Sequence, residues 1–183
     1  MIAPNHIDNK KKNYNENVIE KKQLNGTAMM FQTSVFRKIK GFDEKIFLYY
    51  EENDYFTKCN ILKLKLFIVT NSFYNHKMSK NNNKVLQLHS STFKNIDEKN
   101  HTLFVGGWHG QWSKFYYKKK YNGFFNALII CLPNILVNII QLIPAIILNP
   151  TKAKYKYFKI EGFICSVIGF TSFRRSKYDK SHY

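Results

Sequence analysis

The stretch GFDEKIFLYYEENDYFTKC, residues 41 to 59, crowds three carboxylates, Glu51, Glu52 and Asp54, into four positions between aromatic side chains. The rest of the chain makes that cluster conspicuous, because 29 Lys and Arg stand against only 12 Asp and Glu in 183 residues. Like charges so close repel, which raises at least one carboxyl pKa unless a cation or a helix dipole compensates. A helix starting at Glu51 would supply compensation, since its first N–H groups are unpaired and carry partial positive charge. The pattern predicts a helix over 51–63. Its acids then have three uses: to complement the dipole and nearby lysines, to take a proton from a hydroxyl nucleophile, or to offer oxygen ligands to a hard cation. Spacing alone leaves all three open.

Upstream of the acids, Gly41 marks a turn followed by Asp43 and Glu44, and LNGTAMMFQTSVF from Leu24 reads as a buried strand feeding a short helix. Gly26 there allows close approach of a neighbour or ligand. Residues 5 to 23, rich in Asn and Lys, read as a solvated loop. Downstream, KLKLFIVTNSFYNH alternates β-formers and reads as a strand ending at His76. SKNNNK then reads as a polar loop.

The second half differs in kind. WHGQWSKFYYKKKYNG is basic and aromatic, and it runs into FFNALIICLPNILVNIIQLIPAIIL, residues 124 to 148, which carries no charge. About 25 uncharged residues suffice to cross a bilayer, but Pro133 and Pro144 are expected to interrupt the segment. Asn126, Asn134, Asn138 and Gln141 fall within an arc of roughly 120° on a helical projection. Three arrangements fit: a helix lying in the membrane interface or re-entering, a spanning helix, and a buried core hairpin. The one-sided polar stripe suits the first, because headgroups solvate that face. Both flanks, YYKKKY and KAKYKYFK, are cationic and aromatic, so neither sets an orientation. Gly162 and Gly169 in FKIEGFICSVIGF suit close helix packing or shallow membrane contact.

A net charge of +17 calls for an anionic partner. The basic residues are spread through loops and the flanks of the apolar segment and form no recognisable nucleic-acid module, so nucleic acid is not the expected partner. Three scattered cysteines, Cys59, Cys131 and Cys165, form no CxxC pair and indicate neither a disulfide framework nor zinc. The opening residues have no apolar signal-peptide core. A non-catalytic membrane-surface adaptor, with acids that only cap a helix, also fits these features.

Taken in order, the run LNGTAMMFQTSVFRKIKGFDEKIFLYYEENDYFTKC resembles the acceptor-side half of family 2 glycosyltransferases of the GT-A fold, particularly their bacterial rhamnosyltransferase-like branch. Gly26 in a small-residue strand, the Gly41-Phe42-Asp43-Glu44 turn, the Phe47 to Asp54 opening of a helix, and His76 after an apolar strand occur in that branch's order. The basic, apolar and EGFICSVIGF segments also resemble the branch's membrane-associating tail.

The resemblance implies an α/β fold: the C-terminal part of a GT-A domain over residues 1–105, then a helical membrane-associating region over 106–183. It implies transfer of a sugar, with inversion, from a nucleotide sugar to a glycan acceptor, lipid-linked, at the cytoplasmic face of a bacterial inner membrane. Glu52 would be the base, supported by Glu51 and Asp54, with Asp43, Glu44 and Gly26 on the acceptor side and His76 at a metal or diphosphate contact. The cofactor would be Mg²⁺ or Mn²⁺. Its main ligands would lie upstream, because the family's D-x-D motif is nowhere in this sequence. The chain is therefore expected to be the C-terminal part of a split or truncated transferase. It also departs from the family by having ILKLKL where a Gly usually precedes the strand, and Lys58 where Arg is common.

Overall fold

The computed structural model describes residues 2–6, 16–74 and 96–177. The chain forms two compact units: Met1–Glu44 with Glu51–Lys80, and Lys45–Tyr50 with Asn81–Tyr183. The chain thus leaves the first unit after Glu44 and re-enters it at Glu51, the first of the clustered acids.

In the first unit, β1 (Ile2–His6), β2 (Val18–Lys21) and β3 (Leu66–Tyr74) form a sheet of order β1-β3-β2, with β1 parallel and β2 antiparallel to β3. The register pairs Ile2 with Phe67 and Pro4 with Val69, then shifts so that Asn5 faces Phe73. Pro4 cannot donate to a ladder, and it is tolerated because β1 lies at the sheet's edge with the irregularity directly after it. Buried Thr70 ties down the approach to β2, donating from its N–H to the Asn17 carbonyl and from its hydroxyl to that of Glu16. Two expectations are corrected here. Within the stretch 5–23 read as loop, residues 5–6 end β1 and 18–21 form β2, whereas 24–32 makes only one bridge, between Met30 and Ile2, instead of a strand. Asn25 causes the second difference: its Oδ1 accepts from both the N–H and the hydroxyl of Thr27 and turns the chain.

Helix α1 (Thr33–Lys38) ends in a Schellman turn: the N–H of Gly41 bonds the Phe36 carbonyl and that of Lys40 the Arg37 carbonyl, with φ of 59° at Lys40 and 60° at Gly41. Helix α2 (Glu51–Ile61) closes the same way, from Leu64 to Cys59 and from Lys63 to Asn60, so it stops two residues short of the expected 63. Lys63, at φ 55°, occupies the left-handed position that Gly usually fills. The core joins Ile39, Tyr55, Phe56, Cys59 and Leu66. Phe31, Phe36, Phe42 and Tyr55 pack around it with ring centroids 5.0 to 5.9 Å apart. Burial pushes the Tyr55 hydroxyl up to about 12.

The second unit is helical. Helix α3 (Ile96–Phe104) passes through a π-helical turn, Val105–His109, into α4 (Gly110–Asn122). Gly123, at φ 80°, reverses the chain into α5 (Phe124–Leu148), and Asn149 caps α6 (Pro150–Val167) by accepting from the Lys152 N–H. Because α3 packs with these helices, the division read from sequence at 105/106 falls inside the second unit. The prolines also behave differently from expectation: α5 runs unbroken for 25 residues through Pro133 and Pro144. One core gathers Leu103, Phe104, Trp108, Trp112 and Phe158, and another Phe115, Ala127, Cys131, Ile135 and Phe163. Helix α6 crosses the π turn on glycines: Gly162 lies directly against the Trp108 backbone, and Gly107 against the Cβ of Phe158.

Candidate functional site

The acid cluster occupies the first turn of α2 as its spacing predicts, but its three carboxylates are in three different situations. Asp54 is fully buried and its Oδ2 lies 3.1 Å from the Lys58 ammonium one turn later. Lys58 in turn donates to the Gly41 carbonyl at 3.0 Å, so the pair ties α2 to the turn that ends α1. Asp54 is thereby committed to structure.

Glu51 is half-buried, and one oxygen, Oε2, is enclosed without a hydrogen-bond partner. Burial pushes its carboxyl above the ordinary range, opposed by a backbone hydrogen bond at its own residue and assisted by the charge of Glu52. Glu52 packs its stem over Gly26: a Cβ added at Gly26 would stand 3.0 Å from Glu52 Cγ. The fold therefore brings together Gly26 and Glu52, which lie 26 positions apart in the chain. Asp43 is half-buried and Glu44 exposed in the turn after Gly41. His76 lies outside the described residues.

The two residues before α2 are Tyr49 and Tyr50, at φ of 64° and 69°. Bulky residues rarely adopt this conformation, at a cost of roughly 1–3 kcal/mol each. Contacts within the second unit hold them there. The Ser113 hydroxyl donates to the Leu48 carbonyl at 2.7 Å, Tyr50 packs on Tyr117, and the Ser172 hydroxyl donates to the Lys45 carbonyl. The acids thus begin at the residue where a strained, anchored strap gives way to a helix.

A divalent cation needs several converging oxygen ligands. No group of three His, Cys, Asp or Glu converges among the described residues, and Asp54 is already paired with Lys58. The described residues do not by themselves fit such a cofactor. What they provide is a pair of adjacent carboxylates, one desolvated and one lodged against a glycine.

The role of Lys58 was not read from sequence, although Asp54 and Lys58 stand at the i, i+4 spacing of a helical ion pair. A second polar group was missed entirely. His109 is buried, its Nδ1 has no partner, and burial, followed by the nearby His101 and Arg174 charges, lowers it to about 4 against an opposing backbone hydrogen bond to Arg174. Nothing in WHGQW marks that histidine as interior.

No family model, curated protein or solved structure matches this chain.

Proposed function

We propose that this chain is the acceptor-side part of an inverting glycosyltransferase, similar to family 2 enzymes of the GT-A fold, acting in surface polysaccharide synthesis at an anionic membrane surface. The observation that supports this most is the Glu51–Glu52 pair at the start of α2, with Glu52 seated in the space that Gly26 leaves.

Glu52 is the proposed base. An acceptor sugar hydroxyl has a very high pKa, so its proton must pass to a carboxylate as its oxygen bonds to the anomeric carbon. The bond from that carbon to the nucleotide diphosphate breaks on the opposite face, the diphosphate leaves with the electron pair, and the configuration inverts. Glu51 suits a supporting role, since a desolvated carboxyl is easily protonated and can then donate to an acceptor oxygen. Asp54 acts indirectly, by fixing the helix through Lys58. The donor-side strands and D-x-D acids belong to a partner segment in this reading, and the growing charge on the leaving group is neutralised there.

One observation favours a second reading, a membrane-surface adaptor without catalysis: the only acid of the cluster that is fully buried is spent on an ion pair. Glu52→Gln separates the two. In an assay with nucleotide sugar, lipid-linked acceptor and a D-x-D-bearing donor half, the substitution should lower transfer by about 10²–10⁴-fold. Thermal unfolding and vesicle binding should stay unchanged. Equal turnover of parent and variant removes Glu52 from the role of base.

A further inference from the structure

We propose that α5 lies flat in the plane of an anionic lipid surface, apolar face inward, and does not pass through the bilayer. The inference rests on the reading above only for its membrane partner, and the transfer chemistry is independent of it.

Helix α5 has two unlike sides. Ala127, Cys131, Ile135, Asn138 and Ala145 are buried on one side, three of them (Ala127, Cys131 and Ile135) packed with Phe115 of α4 and Phe163 of α6. The other side is apolar and bare from end to end: Phe125 is 78% exposed, Ile129 and Ile140 70%, and Ile147 81%. Apolar surface of that extent marks a contact with a protein partner or a membrane. The polar stripe lies beside the packed seam rather than opposite it. Asn138 bonds the Asn134 carbonyl, and Gln141 accepts from Lys156 at 2.6 Å.

The occupant follows from charge. Helices α4 and α6 hold eight lysines and one acid, Glu161. Lys118, Lys119 and Lys120 stand at the turn that opens α5, and Lys152 and Lys154 at the turn that closes it. A second copy of the chain docked on this face through its own would bring a second set of lysine-rich turns against these. Anionic headgroups instead complement both ends at once. Rings accompany the cations at the opening turn, with Lys118 over Tyr117, Lys119 over Phe124 and Lys120 over Tyr121, a pairing suited to the headgroup layer.

The packing of α6 argues against a crossing. Helix α6 runs back along α5, Lys156 meeting Gln141 and Phe163 meeting Cys131 and Ile135. Lys159 therefore lies beside the middle of α5. At 25 residues α5 is about 37 Å long, against a hydrocarbon layer of about 30 Å. A crossing would carry half-buried Lys159 toward the centre of that layer, where an ammonium is disfavoured. Burial, Lys114 and Lys156 already weaken its hold on a proton.

Depth measurements on the full chain test the seat. Cysteine is introduced singly at Phe125, Leu136 and Ile147, labelled with an environment-sensitive fluorophore, and quenched by lipids brominated at defined depths. The parent, whose Cys165 is half-buried and whose Cys59 and Cys131 are buried, supplies the background. In phosphatidylcholine vesicles with anionic phosphatidylglycerol, all three sites should report one shallow depth, about 5–10 Å below the headgroups. Association should fall at least tenfold without the anionic lipid. A profile deepest at Leu136 and shallow at both ends overturns the flat seat and keeps the membrane partner. Failure to bind any vesicle overturns both, and leaves the Glu52→Gln assay to judge the transferase chemistry. Lipid-free dimers that shield all three labels overturn the lipid as occupant.

Discussion

At the scale of single residues, the acid cluster shows how far spacing carries. Three carboxylates in four positions forecast a helix start, and the helix begins at Glu51. Their division of labour was not legible, because it depends on partners far off in the chain: Lys58 and Gly41 for Asp54, Gly26 for Glu52. Lys63 teaches the same lesson from the other end of α2. The lack of Gly in ILKLKL was visible in the sequence, and the structure shows the consequence, an exposed lysine held at φ 55°. Glycine adopts that conformation without the Cβ clash, so Lys63→Gly should raise the unfolding free energy by about 0.5–1 kcal/mol. Urea denaturation of the two proteins, with equal m-values, checks this. No gain would mean that the lysine stem makes packing contacts worth as much as the strain.

At the scale of elements, periodicity found α2, β3 and the apolar segment, while two short strands escaped it. Residues 2–6 and 18–21 have no alternation strong enough to declare themselves, and they become strands only because β3 lies between them. The prolines misled in the other direction. Each removes one hydrogen bond from α5, but its neighbours α4 and α6 support the remainder, so the helix continues. Gly162 and Gly169 looked equivalent, seven positions apart in one apolar segment. Gly162 is pressed against the Trp108 backbone, where a Cβ would overlap the carbonyl oxygen, whereas Gly169 sits at φ 86° with open space around it. Gly162→Ala should therefore destabilise the helical unit by about 3 kcal/mol, through overpacking against backbone that has no rotamer to yield. Gly169→Ala should cost about 1 kcal/mol, for conformation alone. Chemical denaturation followed by the fluorescence of Trp108 and Trp112 ranks the two, and similar losses would refute the close crossing.

At the scale of the whole molecule, the acid response of stability traces to a residue outside the proposed chemistry. His109 is neutral in the fold, its pKa lowered to about 4 from an ordinary 6.5. The unfolded chain takes the proton first, so stability held above pH 6.5 is lost as the pH falls toward 4. The full window corresponds to about 3 kcal/mol. Melting curves between pH 7 and pH 4 should show this slope in the parent and a shallower one in His109→Gln, the difference isolating the contribution of this one group. Identical slopes would place the histidine in contact with water.

The chain's own sequence determined what depends on neighbours a few positions away: the start of α2, the short α1, the β-rich run of β3, and a 25-residue uncharged segment bounded by lysines. Helical hydrogen bonds and dipoles act within a turn or two, so their causes sit side by side in the text. Only the tertiary structure decided which acid is spent on an ion pair, which glycine is a contact, which histidine is dry, and which side of α5 is left bare. Each of those depends on a surface brought in from elsewhere in the same unit, and burial is a property of what covers a residue rather than of the residue itself.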